Sequence, residues 1–168
     1  MTRRQPLSFD PIAKAAQNWA AAGWGEQADG MAFVTSIMRA HQILIARVDE
    51  TLATYKLSFA RFEVLMLLSF SRTGQLPLGK IGQRLQVHPA SVTNAIDRLE
   101  SDGYVARMPH PTDGRTTLAT ITTVGRALAR EAVVALNRDV FGKVGVGSGE
   151  AASVVKALGT LRHSADDF

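Results

Sequence analysis

The chain has 168 residues, of which 46% are hydrophobic and 20% charged, as expected for a globular protein with one sizeable core. Cysteine is absent, which excludes disulfides, thiolate metal sites, a cysteine nucleophile and thiol-based oxidant sensing. The net charge of +4 is compatible with nucleic-acid binding. No apolar run approaches membrane-spanning length and no secretion signal is recognisable, so we expect a cytoplasmic protein without a membrane partner.

Residues 1–30 are interpreted as an N-terminal extension that contains one short helix. Asp10 or Pro11 can begin this helix, and Gly23 and Gly25 are expected to end it. Arg3 and Arg4 could contact DNA phosphates, but a solvated tail is the commoner role of a basic terminus.

A long amphipathic helix is predicted from about residue 31 to residue 55, because apolar residues recur there at steps of three and four. At 1.5 Å per residue it is roughly 37 Å long, more than a small domain can cover. Two further amphipathic helices are predicted, from 123 to about 141 and from about 150 to 163. Burying these stripes against a second copy gives a homodimer, so residues 31–57 and 123–168 are assigned to a helical dimerisation region.

The segment 58–122 contains the pattern of a DNA-binding unit. After a helix over 59–71 and a loop over 73–77, residues 78–85 and 89–102 form two short amphipathic helices joined by a tight turn. The second helix carries Val92, Ile96 and Leu99 on one face, so its polar side chains point outward and can reach base edges.

Two strand-like segments, 104–108 and 116–122, follow directly and flank a turn with an Asp-Gly pair. They predict a hairpin whose tip displays Asp113 and Arg115, so the unit is a winged helix-turn-helix. The predicted fold is therefore mainly α, with six or seven helices and a short β-hairpin wing.

The side chains predicted to contact DNA lie on both short helices, in the turn between them and at the wing tip. They are Ser91, Thr93, Asn94, Arg98, Arg115, His88, Lys80 and Arg84. Two alternatives stay open: His88 could be only a turn residue, and Arg98 could pair with Asp102 one helical turn away. Asp113 is expected to organise the wing by holding the guanidinium of Arg115.

The sequence also resembles a known family. Asp113-Gly-Arg115, followed by Leu118, Ile121-Thr122 and Gly125, is similar to the wing and helix start of MarR-type bacterial transcription regulators, and Arg98–Val105 is similar to their passage from recognition helix to wing. The similarity covers roughly residues 33–160. Many members carry a second arginine beside the first, where this chain has Gly114-Arg115-Thr116. The resemblance implies a homodimer that reads a pseudo-palindrome with recognition helices about 34 Å apart.

The same resemblance implies a small effector, often an aromatic acid, bound between the dimerisation helices and the winged domain. The candidate effector-binding residues are Trp19, Arg39, His41, Arg61, Phe62 and Arg107. A buried core histidine is the alternative for His41. Trp19 with Glu63 and Arg107 resembles a branch that responds to urate, but that branch has Asp in place of Glu63 and Arg in place of Ala95. A small aromatic or purine acid is the expected effector.

Catalysis is not expected. The sequence lacks the metalloprotease, serine-hydrolase, phosphate-loop and dinucleotide-binding motifs, and its four histidines show no metal-ligand spacing. We therefore predict no enzyme activity, no metal and no cofactor. The predicted function is a sequence-specific, double-stranded-DNA-binding repressor that is relieved by an effector. The alternative is a protein-interaction or scaffold module, since residues 58–123 hold only seven Lys or Arg against five Asp or Glu.

Overall fold

The computed structural model describes residues 6–168, so the predicted tail contacts of Arg3 and Arg4 lie outside the described residues. The chain divides into two compact units, 1–48 and 49–168. Between residues 6 and 168 the helices are α1 (Pro11–Trp19), α2 (Ala28–Ala53), α3 (Phe59–Phe70), α4 (Leu78–Leu85), α5 (Pro89–Ser101), α6 (Thr123–Asp139) and α7 (Ser148–Ser164). The strands are β1 (Gln75–Pro77), β2 (Val105–Pro109) and β3 (Thr117–Ile121). The predicted mainly α winged-helix fold is confirmed.

In the N-terminal unit, α1 begins as predicted at Pro11, because the Asp10 side chain accepts a hydrogen bond from the Ile12 backbone N–H at 2.9 Å. The prediction that Gly23 ends the first helical segment is confirmed, because its φ and ψ are not helical, whereas the prediction for Gly25, whose φ and ψ are helical, is wrong. A π-helical turn over Ala20–Trp24 and a 3-10 turn over Gly25–Gln27 continue to α2, with Gly23 at a φ of +93°. Gly23 thus bends the segment through a backbone conformation that costs glycine little.

The core of the second unit is built from the apolar faces of the winged-helix elements. Leu65 and Leu68 of α3, Ile81 of α4 and Ile96 and Leu99 of α5 are completely buried. Burial of such side chains contributes about 1.5–3 kcal/mol each. This core fixes which face of each short helix points to solvent.

The sheet has one more strand than predicted. β2 and β3 form the expected antiparallel wing, with Val105 opposite Ile121. Gln75–Pro77 lies in the predicted loop but pairs with the other edge of β3 as β1, so the strand order is β1-β3-β2. This pairing satisfies backbone groups that β3 would otherwise expose. β1 has only three residues, too few to show an alternating pattern.

Two helices follow the wing. The Thr122 hydroxyl accepts from the Gly125 backbone N–H at 3.0 Å and caps α6, which ends at Asp139, before a 3-10 turn over Phe141–Lys143. Val124, which helical spacing predicts to face inward, is exposed in the chain. α7 also exposes its apolar side chains, including Val155. No helix among residues 6–168 combines the length and the apolar character needed to cross a membrane.

Candidate nucleic-acid interface

The outer face of α5 carries the polar side chains of the candidate interface. Ser91, Thr93, Asn94 and Arg98 are exposed, whereas the large apolar side chains of α5 are buried. The Thr93 hydroxyl donates to the Pro89 carbonyl at 3.1 Å, so it is held against its own helix. The surface therefore presents an amide, a hydroxyl and a guanidinium, which are groups that form hydrogen bonds with base edges and phosphates.

The turn before α5 is organised by His88. Its Nδ1 accepts a hydrogen bond from the Ala90 backbone N–H at 3.2 Å, which makes His88 the N-cap of α5. His88 therefore has the structural role in the turn that was one of its two predicted roles. A DNA contact through the outer ring nitrogen, Nε2, stays a prediction.

Arg98 does not form the ion pair with Asp102 that was the alternative to a DNA contact. Asp102 instead pairs with Arg61 of α3 at 3.4 Å, and Arg61 also donates to the Lys56 carbonyl at 2.7 Å. Within residues 6–168 no carboxylate pairs with Arg98, which is exposed. The Arg98–Asp102 alternative is wrong because Asp102 is turned toward the helix that supports α5.

A salt-bridge network attaches α5 to the wing. The guanidinium of Arg107 on β2 pairs with Asp97 and Glu100 of α5, and the Arg107 backbone N–H donates to Glu100 at 3.0 Å. Partial burial alone would lower the pKa of Arg107, but the hydrogen bonds with Asp97 and Glu100 outweigh that effect and raise it. The network neutralises two carboxylates of the recognition helix and fixes its angle to the hairpin.

Asp113 organises the wing tip, but not by the predicted contact. Its carboxylate accepts from the Arg115 backbone N–H at 3.1 Å and from the Thr116 hydroxyl at 2.7 Å. These two bonds, that of Thr116 first, lower the pKa of Asp113. The expected bond to the guanidinium is absent, so among the described residues Arg115 projects from the tip without an ion-pair partner.

An open groove of about 530 Å³ separates α4 from the wing. Lys80 and Gln83 line it on the helix side, and His110, Arg115 and Thr116 line it on the wing side. Arg84, the other predicted contact of α4, is exposed but is not part of this lining. His110 was missed by the sequence reasoning, although it stands between two prolines immediately before the predicted tip.

In the N-terminal unit, the three effector candidates do not line one site. Arg39 lines a cleft of about 760 Å³ together with Leu7, Phe9 and Ile12, and its guanidinium donates to Gln42 at 3.3 Å. Neither Trp19 nor His41 belongs to the described lining. Trp19 instead contacts Trp24, with ring centroids 5.1 Å apart. His41 is exposed in the chain, so the buried-core alternative is wrong for a single copy.

In the second unit, the other three effector candidates already pack against or pair with other side chains of the chain. Phe62 is buried and stacks on Phe59 with ring centroids 6.2 Å apart. Arg61 and Arg107 are held by the carboxylates described above. Over residues 6–168 no cluster of three or more histidine and acidic side chains has the arrangement of a metal site.

Comparison with known proteins identifies relatives of the winged helix-turn-helix segment. The model of the MarR family matches residues 57–117. The transcriptional repressor YetL of Bacillus subtilis is 35% identical over 71 residues, which are 42% of this chain and 42% of YetL, so the match spans less than half of that relative. The names of these relatives are those of transcriptional regulators rather than enzymes, as predicted.

Solved structures extend the similarity. Sco5413, a MarR family transcriptional regulator from Streptomyces coelicolor, is 48% identical, with a TM-score of 0.76 over 83% of this chain and 97% of that chain. Sco3205 from the same organism, solved in complex with DNA, is 20% identical, with a TM-score of 0.70 over 79% of this chain and 88% of that chain, and shows the fold alone. The helix-turn-helix, the hairpin and the match at 48% identity over 97% of Sco5413 lead to one conclusion. The chain belongs to the MarR family.

Proposed function

We propose that the protein is a sequence-specific DNA-binding transcriptional regulator. One observation carries the proposal: the exposed polar face of α5 lies beside a wing on which Asp113 is bonded to the Arg115 backbone N–H, while the exposed guanidinium of Arg115 has no carboxylate partner among the described residues. A carboxylate at a DNA surface is repelled by phosphates, and here the backbone and Thr116 satisfy it. The name of YetL, a helix-turn-helix repressor, agrees with this proposal.

In the proposed complex α5 enters the major groove. Asn94 can pair with the edge of adenine, and Arg98 can bind a phosphate or guanine. Ser91 can donate to or accept from a base, whereas Thr93, whose proton is bonded to the Pro89 carbonyl, can accept. Arg115 enters the adjacent minor groove, where a narrow groove deepens the negative potential. Lys80, Arg84 and the outer nitrogen of His88 contact the backbone and fix the register.

The binding species is proposed to be a homodimer. The support is the apolar surface that a single copy leaves in water, including Phe33 and Met38 of α2 and Val155 of α7. Two-fold symmetry would then present two copies of α5 to a pseudo-palindrome. Occupation of such a site within a promoter would block transcription, so repression is the proposed outcome.

The test is selection of duplexes from random-sequence DNA, followed by fluorescence anisotropy with excess nonspecific competitor. The expected result is a recovered pseudo-palindrome that stays bound under competition. Arg115→Ala should weaken binding and make the slope of log affinity against log salt shallower by about 0.9 for each phosphate charge lost. Loss of all binding under competition would favour the protein-interaction alternative.

A small aromatic or purine acid is the proposed effector. Arg39 supports this proposal because it places a cation with a neutral hydrogen-bond partner in a cleft that also has the ring of Phe9. A typical coupling of about 1–3 kcal/mol would weaken DNA binding roughly 5- to 150-fold.

A thermal-shift screen of phenolic and purine acids would test the effector proposal. The expected result is a rise in Tm that Arg39→Gln abolishes and that the exposed control Arg130→Gln retains. Trp19→Leu and His41→Ala would show whether these two candidates take part. No acid raising the Tm would argue against the effector.

A further inference from the structure

The imidazole of His110 lies next to the tip of the wing in a fixed orientation. Its backbone N–H donates to the Thr116 carbonyl at 3.0 Å, on the last rung of the hairpin. Its Nδ1 accepts from the Thr112 backbone N–H at 3.3 Å, and the Thr112 hydroxyl lies 3.4 Å from the same nitrogen. The ring is therefore held in place by the backbone hydrogen bond of His110 and by the hydrogen bond at its Nδ1.

These contacts decide which nitrogen carries the proton. An Nδ1 that accepts from a backbone N–H leaves the proton of the neutral ring on Nε2. Nε2 is then a hydrogen-bond donor that the described residues do not use. His88 is fixed in the same way, through its own Nδ1 and the Ala90 N–H. The winged segment thus holds two similarly fixed imidazoles, one in the turn between α4 and α5 and one on the wing.

The groove beside His110 has the chemistry of an anion site. Among the described residues its charged side chains are Lys80 and Arg115, and no carboxylate lines it. The nearest wing carboxylate, Asp113, accepts from the Arg115 N–H and the Thr116 hydroxyl instead. Its volume of about 530 Å³ falls in the range of ligand-binding clefts. The groove combines two cations with neutral hydrogen-bond donors, among them the Nε2–H of His110 and the side-chain amide of Gln83.

We propose that His110 donates a hydrogen bond from Nε2 to one DNA backbone phosphate seated in the groove between α4 and the wing, beside Lys80 and Arg115. This proposal rests on the proposed DNA-binding function. The phosphate would lie between α4, which contacts the DNA backbone, and Arg115, which enters the minor groove. His110 is thus a positioning residue that fixes the register of both contacts.

Two substitutions separate this role from a purely structural one. In His110→Asn the side-chain oxygen can still accept from the Thr112 N–H, but the outward donor is lost. In His110→Gln the longer amide can place a donor near the position of Nε2, but the turn bond is lost. His163→Asn on α7 is the control, because His163 is exposed and does not line the groove between α4 and the wing.

Affinity for the selected duplex is measured over a series of salt concentrations at one fixed pH. We expect His110→Asn to bind about 10-fold more weakly with an unchanged salt slope, because it loses a neutral donor to a charged acceptor. Lys80→Ala should instead make the slope shallower by about 0.9. His110→Gln should bind nearly as well as the unchanged protein. Wild-type affinity in His110→Asn would overturn the proposal.

A methylphosphonate scan of the duplex locates the contact. Replacing one phosphate at a time removes its charge, and at one position the replacement should weaken the unchanged protein but not His110→Asn. An identical pattern of penalties in both proteins would overturn the proposal, whatever the affinity of His110→Gln. If the unchanged protein fails to hold any duplex under competition, the DNA-binding function itself fails, which is a distinguishable result.

Discussion

Gly125 lies in the first turn of α6. We expect the addition of a single methyl group at this position to lower the stability of the fold. A Cβ built there would lie 2.1 Å from the Tyr104 carbonyl oxygen and 2.9 Å from its carbon. The helix start is tied to the same carbonyl, because the Thr122 backbone N–H donates to it at 3.0 Å. The Thr122 hydroxyl also donates to the Gly103 carbonyl at 2.9 Å. A methyl group therefore meets main chain that is held in place.

The magnitude follows from these contacts. To reach an ordinary separation, α6 or the start of β2 must move by about 1 Å. Overpacking of this kind costs about 1–3 kcal/mol, and disruption of the Thr122 cap costs about 1 kcal/mol more. Alanine returns up to about 1 kcal/mol through its higher helix propensity. We expect Gly125→Ala to lose about 2 kcal/mol net, or roughly 4–8 °C in Tm for a chain of this size.

Thermal and urea unfolding at one fixed protein concentration measure this loss. Gly79→Ala is the matched control, because Gly79 also lies near a helix start in the same unit and a Cβ there meets nothing within 4 Å. The control should keep or slightly raise the Tm. If Gly125→Ala were as stable as Gly79→Ala, the close approach of α6 to Tyr104 would be refuted as the reason for glycine at this position.

Three further predictions concern charged side chains. Asp113→Ala should weaken DNA binding in anisotropy, because the loss of wing order outweighs the loss of a negative charge; stronger binding would mean that repulsion dominates. Burial raises the pKa of Glu63, so its stability contribution is present at low pH and is lost as the pH rises through that raised value. In urea unfolding Glu63→Gln should therefore be more stable than the unchanged protein at pH 7 and equal to it near pH 4; a gap that widens at low pH would reverse the argument. Arg107→Met should lower the free energy of unfolding by about 1 kcal/mol in urea titration, because two partly exposed ion pairs are lost. Arg107→Lys should restore only part of this loss, because an ammonium group cannot bind both carboxylates as the planar guanidinium does. Full restoration would show that the geometry of the guanidinium is unimportant.

Elements with local signals were predictable from the sequence. The short helices α4 and α5 have apolar side chains at helical spacing, and Thr122 caps α6 through its own first turn. β1 has no such signal, because its residues become a strand only by pairing with β3, more than 40 residues later in the chain. The helical turns that continue from Gly23 to α2 also had no such signal, since a glycine can either end a helix or let it continue through a kink.

The same difference applies to the site. The exposed face of α5 follows from periodicity, so the sequence alone is enough to place Ser91, Asn94 and Arg98 on the outer side of the helix. The partners of Arg61 and Arg107 could not be predicted, because Arg61 pairs with a carboxylate 41 residues away and Arg107 joins two elements. Helical periodicity predicts that an arginine is on the surface, but it does not predict which carboxylate pairs with that arginine.

Ion pairing also changes the meaning of the net charge in the winged segment. The seven Lys or Arg and five Asp or Glu of residues 58–123 give little indication of a basic surface. In the structure two arginines hold Asp97, Glu100 and Asp102, and the carboxylate of Asp113 is bound to the wing backbone and to Thr116. Among residues 6–168, the cations of the candidate interface that no carboxylate pairs with are Lys80, Arg84, Arg98 and Arg115. A phosphate approaching α5 and the wing therefore meets four unpaired cations and carboxylates that are already compensated, which is a stronger attraction than the count of charges implies.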